Sequence, residues 1–556
     1  MIDQERSPLS YSPRHVRPRR TAPRRIVTAA AVAAAGVLLA TVSIGLGTDA
    51  GADARQRPAP DPLRDYQEQS VVWGACPADM ESTEGLRCAA VAVPLDYHRP
   101  GGERIQIAVS RLPGTGRGPH RPLFLNPGGP GGPALDMPAA FRSAAPAALL
   151  RQYDLIGMDP RGLGHGTPLD CKLTDEQEMF VDQWSYPYRP ETFRTAADRS
   201  RRVAEACARA VGPRMAHFTT ANTARDMDLV RTVLGAPRLS YFGVSYGTYL
   251  GAVYTQLFPQ RADRIVLDSA VDPTRLWRGV SLLQAEAAEP AFDRWVAWAA
   301  RHDATYHLGR TPKQVRKTFR ELLRRPTEPA PGAELDGSYG DQLRAYMTRG
   351  AVHVKETSEY VVTQKTGQSP DDPDVVDNPD PVDGGDPDGG EEPDPAEPSG
   401  PPSVLPSAED PDANFYALSM TIQCGEGRDW PAGDARYRRE AVAARARGSL
   451  GGDLKANVKP CAYWKHRSAE PPVTVRNTVP ALIVQNQWDA NTPLAGARAA
   501  HRVLAGSRMV TVRNGEGHGI YLEQGDRCAR DRVTAYLTTG RLPATDITCV
   551  APEPSP

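Results

Sequence analysis

The chain has 556 residues, 40% of them hydrophobic, which is enough for one large core plus a smaller unit and excludes a wholly disordered protein. Lys and Arg (66) nearly balance Asp and Glu (67), so no overall charge directs the protein to nucleic acid. The balance is uneven along the chain, with arginines crowded near the start and a purely acidic tract far downstream.

Residues 1–54 have the form of an export segment. "RPRRTAPRR" precedes an apolar run from Ile26 to Gly47, and Ala52 and Ala54 stand where a signal peptidase needs small residues, so the mature chain would begin near Arg55. The same run is long enough to remain as an anchor, in which case the protein would meet a membrane only through it. Arg24 and Arg25 also suit a twin-arginine exporter. Cys76, Cys88, Cys171, Cys207, Cys424, Cys461, Cys528 and Cys549 form no CxxC and no Cys/His metal spacing, which speaks against a zinc site. An even number of cysteines behind an export segment implies disulfides. Pairing in chain order closes the shortest loops and costs the least chain entropy.

Beyond the export segment, "AAVAVPLDY" and "RIQIAVSRL" alternate as an antiparallel pair of strands joined by "HRPGGE". "RPLFLNPGGPGGPAL" and "YDLIGMDPRGLGHG" each read as an apolar strand running into a glycine loop, where Asp159 and Arg161 suit a turn-stabilising salt bridge or hydrogen-bond role rather than chemistry. "TANTARDMDLVRTVLGA" reads as a helix capped by Thr219 or Thr220, and "RLSYFGVSYG" as the next strand. Strands without alternation, separated by helices, predict a mostly parallel sheet covered on both faces. After "RIVLDSAVDP" the pattern turns helical from about residue 274 to 468, and the sheet resumes with "VPALIVQNQWDANTP" and "SRMVTVRNGEGHGIY" before a helix at "CARDRVTAYLTTG". The organisation is therefore a core of residues 55–273 and 469–556 interrupted by a helical cap at 274–468. Within the cap, residues 367–412 are dominated by Asp, Glu, Pro and Gly, with no Lys or Arg, and read as a disordered spacer with neither the DxDxDG spacing nor the backbone freedom of a calcium loop.

"GVSYG" places Ser245 between a strand and the apolar "TYLGAVYTQLF", the form of a nucleophile elbow, where flanking glycines relieve the sharp turn. A serine hydroxyl needs a base, and the base an orienting carboxylate. Asp489 and His518 both follow apolar strands, and the order Ser245, Asp489, His518 is that of the α/β hydrolases. An oxyanion hole needs two backbone donors. "NPGGPGG" supplies Gly129, with Gly128 beside it, and the amide of Tyr246 is the second donor. No Lys-Ser or Lys-Thr follows those glycines, so they are not a phosphate loop.

With "CAAVAVPLDY", "NPGGPGG", "DPRGLG", "GVSYGTYLGAVY", "WDANTP" and "GHGIY", the sequence resembles the secreted actinobacterial tripeptidyl aminopeptidases, in the proline iminopeptidase group of α/β hydrolases. The resemblance implies a serine exopeptidase acting on peptides with a free N-terminus, a helical cap over the site, and Ser245, Asp489 and His518 as the triad. It departs from the family at "GLGHGTP", with His165 and Gly166 after the turn, and in the acidic insertion. The chemistry requires no metal or organic cofactor. An aminopeptidase must also hold an ammonium group, for which Glu426 in "IQCGEGRDW" is a candidate, with a surface acid as its other reading. A carboxylesterase or lipase on the same fold is the alternative activity, and a non-catalytic surface protein with an acidic spacer a further one. The preferred residues and the oligomeric state are not legible.

Overall fold

The computed structural model describes residues 61–80, 83–182, 187–325, 339–366, 403–408, 410–523 and 525–555. The export segment and residues 367–402 of the acidic tract lie outside the described residues. The strands are β1 (Arg87–Pro94), β2 (Arg104–Leu112), β3 (Arg121–Asn126), β4 (Tyr153–Met158), β5 (Leu239–Val244), β6 (Ala262–Asp268), β7 (Ala481–Trp488), β8 (Ser507–Glu516) and β9 (Ile547–Val550). They form one sheet in the order β1-β2-β4-β3-β5-β6-β7-β8-β9. Only the β1–β2 and β2–β4 pairings are antiparallel, and every later pairing is parallel.

Successive side chains of the central strands divide between two cores. Phe124, Ile156, Tyr241, Ile265 and Ile483 enter one, and Leu123, Leu155, Phe242, Val266 and Leu482 the other. Both faces are dry, which is why these strands show no polar alternation in sequence. The helices that matter for the site are α1 (Thr220–Val233), α2 (Tyr246–Leu257), α3 (Arg278–Arg301), α4 (Val354–Thr366), α5 (Pro411–Glu426) and α6 (Arg527–Thr539). Helix α1 is capped by Thr219, whose side chain accepts from the Asn222 amide.

Between β6 and β7 the described residues are helical apart from the loops that join them, and part of this layer has a core of its own around Phe292, Trp295, Trp298 and Phe319. Trp488 and Ala490 pack against that core, so the residues on either side of Asp489 touch this helical layer. The disulfides are Cys76–Cys88, Cys171–Cys207, Cys424–Cys461 and Cys528–Cys549, the chain-order pairing. β9, which the sequence reading omitted, is only four residues long, runs parallel to β8 and carries Cys549.

Two expectations are corrected. The acidic insertion does not extend to Asp412, because Asp410 caps α5 by accepting from the Ala413 amide and Pro411 takes the first helical position. Of the two roles read for Asp159 and Arg161, hydrogen bonding holds and a mutual salt bridge does not. The Arg161 guanidinium meets Asp226 of α1 at 2.6 and 2.8 Å in a wholly buried pair and also donates to the carbonyls of Leu95 and His217. Asp159 instead accepts from the Ala134 amide and lies 3.6 Å from His165, the residue that departs from the family pattern, while the other ring nitrogen of His165 is 3.1 Å from Asp79.

Candidate active site

Four adjacent strands bring the chemistry to one edge of the sheet. In register, Val244 pairs with Asp268, Asp268 with Val484, and Trp488 with Glu516, so Ser245, Asp489 and His518 all follow neighbouring C-terminal strand ends.

Ser245 has φ 58° and ψ −124°, a strained conformation for a non-glycine residue, and stands at the N-terminus of α2. Its amide donates to the Asp268 carbonyl at 3.0 Å, and its carbonyl accepts from the Thr248 amide and hydroxyl. The flanking glycines are needed for space. A Cβ on Gly243 would lie 2.6 Å from the Gly247 carbonyl oxygen, and one on Gly247 would lie 2.8 Å from Asn126 Oδ1 and 2.9 Å from the Asn126 carbonyl oxygen. The elbow is therefore seated directly on the end of β3.

Asp489 and His518 are in contact, with Nδ1 of the imidazole 3.0 and 3.1 Å from the two carboxylate oxygens. Asp489 is wholly buried and accepts further bonds from the amides of Asn491 and Thr492, the Thr492 hydroxyl and Gln485 Nε2. Burial works to raise its pKa, but the neighbouring imidazole and these donors outweigh it and hold the carboxyl below its usual range. Burial likewise works to lower the pKa of His518, and the charge and hydrogen bond of Asp489, helped by the charges of Asp268 and Glu523, raise it instead. With Nδ1 given to Asp489, Nε2 is the nitrogen left for a substrate-side proton.

Gly128 has φ 110°, and a Cβ there would lie 2.7 Å from the Val244 carbonyl oxygen, 2.9 Å from Ser245 Cβ and 3.1 Å from the Tyr246 amide nitrogen. Its own amide donates to Asn126 Oδ1. Gly128 thus supplies the room beside the serine. Gly129 follows it with φ 104°, and Tyr246 carries the first amide of α2, which has no acceptor within its helix. Gly128→Ala is expected to lower kcat/KM at least about a hundredfold, the usual loss when an oxyanion donor is displaced. The check is labelling of Ser245 by a fluorophosphonate beside the kinetics, since a folded variant with a normal rate would remove Gly128 from the site.

Glu426 is neither on a loop nor at the surface. It is the last residue of α5, held by the Cys424–Cys461 disulfide, and is only 3% exposed, so the surface-acid reading falls. Its carboxylate accepts from the amide and hydroxyl of Thr220 at 2.6 and 3.1 Å, capping α1 from outside, and the same hydroxyl lies 2.9 Å from the Tyr246 phenol. Burial raises its pKa to about 7 against these bonds.

Sequence reasoning passed over several residues around the pair. Thr492 was legible, because an Asp followed three residues later by Thr is a local turn signature in which the carboxylate takes nearby amides. Gln485, Asp268 and Ser269 carried no such signal. From the cap, Arg294 of α3 forms an ion pair with Glu516, stacks over Trp488 at 4.9 Å and donates to the Val352 carbonyl, joining both strand ends that bear the pair. His353, Glu356 and Glu516 bring possible metal-ligand atoms within 4.8 Å of one another, but Arg294 already supplies a cation to Glu516 there.

A mostly parallel sheet, a serine on a strand-to-helix elbow and an Asp–His pair on the following strands define an α/β hydrolase. A family profile described as "alpha/beta hydrolase fold" matches residues 121–336, and one described as "TAP-like protein" matches residues 449–549. The chain is 34% identical to the tripeptidyl aminopeptidase of Streptomyces lividans over 87% of each chain. It is 30% identical to carboxylesterase B of Mycobacterium tuberculosis, over 86% of this chain and 89% of the other. Similarity to the serine protease Hip1 of the same organism is 27%, over 86% of this chain and 91% of that one. The chain belongs to the tripeptidyl aminopeptidase family of α/β hydrolases.

Proposed function

We propose that this protein is an exported serine aminopeptidase that releases short N-terminal peptides, tripeptides by its resemblance to the Streptomyces enzyme, from substrates with a free N-terminus. The observation that carries the reading is a strained Ser245 elbow and a hydrogen-bonded Asp489–His518 pair, with Asp489 buried, on neighbouring strand ends in a chain of this family. Ser245 attacks the scissile carbonyl as His518 Nε2 takes its proton, and Asp489 stabilises the imidazolium that forms. The amides of Gly129 and Tyr246 receive the oxyanion. The imidazolium then returns the proton to the leaving amine, and water releases the N-terminal fragment from the acyl-enzyme. Four disulfides fit a protein that works outside the cell. The organisation into a core of residues 55–273 and 469–556 with a cap at 274–468 belongs to the same proposal.

Glu426 is the proposed partner of the substrate ammonium. No basic side chain is hydrogen-bonded to it among the described residues, and a single Thr220 hydroxyl separates it from the Tyr246 phenol. The test compares one chromogenic tripeptide amide with its N-terminus free and acetylated. The wild-type protein is expected to cleave only the free form, and Glu426→Gln to raise KM for that form at least about tenfold, the loss of one charge-assisted contact. Equal cleavage of both forms would overturn the exopeptidase reading. The glutamine also reports a purely structural role. A carboxyl with a raised pKa favours the protonated fold, so its ionisation removes stability as pH rises from about 4.5 to 7. Glu426→Gln is therefore expected to gain stability over wild type, read as a rising Tm difference, as pH climbs through that window, reaching at most roughly 3–4 kcal/mol above it. That gain without any change in KM would leave Glu426 as a helix cap alone.

The resemblance to carboxylesterase B favours a second reading, hydrolysis of simple esters by the same triad. Activity on a short acyl ester with none on the tripeptide amide would select it.

A further inference from the structure

The end of β6 touches all three elements that carry the proposed triad. The Asp268 carbonyl accepts from the Ser245 amide at 3.0 Å. Its carboxylate, 0% exposed, accepts through a single oxygen from the amides of Ile520 (3.0 Å) and Tyr521 (2.9 Å), immediately after His518. The next residue, Ser269, is held at φ 58° and its hydroxyl accepts from the Gly519 amide at 2.9 Å. Then the Ala270 amide donates to Gln485, whose other side-chain atom donates to Asp489. Three consecutive amides after the histidine are thus fastened to the last residue of β6 and the one that follows it, more than 200 positions away in the chain.

We infer that Asp268 is a positioning residue for the reaction, holding the His518 loop by its amides and bringing a second buried carboxylate to that loop. The inference rests on His518 being the base. No lysine or arginine is hydrogen-bonded to the Asp268 carboxylate among the described residues, and the cation whose charge acts on it is His518 when protonated. Burial pushes the Asp268 carboxyl up to about 6 against the Tyr521 and Ile520 amides, so above that pH it is ionised and its negative charge favours the imidazolium that appears as Ser245 is deprotonated. Asp489 holds the ring at Nδ1, with the Thr492 hydroxyl 3.4 Å from the same nitrogen, and Asp268 sets where the ring's backbone sits. The charged groups acting on His518 are Asp489 from the loop after β7, Asp268 from β6 and Glu523 from its own loop. From the cap, His353 feels the Asp489 charge and lies against Gly517, with Glu356 and Arg294 around it.

The experiment uses the mature protein and the free tripeptide amide, with Asp268→Asn, Ser269→Ala and His518→Ala compared for kcat, KM, Tm and the pH profile of kcat/KM. The asparagine carbonyl can still accept from Ile520 and Tyr521, so this variant removes the charge and keeps the loop. It is expected to lose roughly 10- to 100-fold in kcat with KM within about twofold, and to move the acid limb of kcat/KM down by about half to one pH unit. Ser269→Ala leaves the Asp268 carboxyl but frees Gly519 and removes the hydroxyl's 3.3 Å bond to Asp268 Oδ1, so kcat should fall at least about fivefold with the limb moving less than in Asp268→Asn. An Asp268→Asn protein with the wild-type acid limb, or with wild-type kcat, overturns the inference. If Asp268→Asn does not accumulate as folded protein, Ser269→Ala decides, and full activity there overturns it. His518→Ala separates the two claims. Retained activity in that variant would refute the base assignment itself, whereas an inactive His518→Ala beside an unmoved Asp268→Asn limb refutes only the role of Asp268.

Discussion

Ser245→Ala is expected to abolish hydrolysis of the tripeptide amide, lowering kcat by roughly five to six orders of magnitude while leaving KM and Tm nearly unchanged. The size follows from the mechanism. Without the hydroxyl no acyl-enzyme forms, and what remains is the rate at which the oxyanion donors and the binding site promote attack by water. Stability is expected to hold, or rise slightly, because the Ser245 bonds described at the elbow are made by its backbone: its amide meets Asp268, and its carbonyl meets Thr248. Alanine keeps those bonds and the positive φ, and fits wherever serine did. The measurement is single-turnover kinetics with a fluorophosphonate titration of the wild type, so that trace contamination is not mistaken for residual activity. A variant that keeps a tenth of wild-type kcat would remove Ser245 from the chemistry and leave the elbow as an ordinary tight turn.

The elbow was legible in the sequence because its constraints are local. Gly243 and Gly247 are set by contacts within a few residues of Ser245 and with the end of β3, and the apolar runs on either side announce the strand and the helix. Asp489 and His518 were legible for a related reason: each follows a strand buried on both faces, and chain order supplied the rest. What failed depended on partners distant in sequence. A salt bridge in the turn of Asp159 was one of two roles read for Arg161, yet its bidentate partner is Asp226, 65 residues on, a choice made by the packing of α1 against the sheet. Asp268 acts through backbone amides, which leave no side-chain pattern to find. Glu426 lies in a stretch whose polar residues suggest a loop, and only the close of α5 onto α1 buries it. The start of α5 was misplaced because Asp410 and Pro411 continue the composition of the acidic tract, although an Asp at the N-cap followed by Pro at the first turn is itself a helix-start signal.

Asp489→Asn should cost about four orders of magnitude in kcat, since an amide at this position turns the imidazole to the wrong tautomer and no longer stabilises its cation. Here the substitution is also not isosteric in its bonding. One carboxylate oxygen accepts from the Asn491 and Thr492 amides, and the other from the Thr492 hydroxyl and Gln485 Nε2, so the side chain meets donors on both sides. Whichever way the asparagine turns, its NH2 faces a donor, a buried mismatch worth about 1–3 kcal/mol. The variant should therefore melt below wild type, which distinguishes Asp489 from Ser245, whose removal leaves Tm alone. The pH profile gives a third readout. Asp489 raises the pKa of His518, so the acid limb of kcat/KM lies above the ordinary histidine range in the wild type, and in Asp489→Asn the residual activity should persist to lower pH. Loss of kcat with the acid limb unmoved would show that the carboxylate orients the ring without tuning it. Wild-type kcat with a lowered Tm would reduce Asp489 to a structural acid that gathers the "DANT" turn.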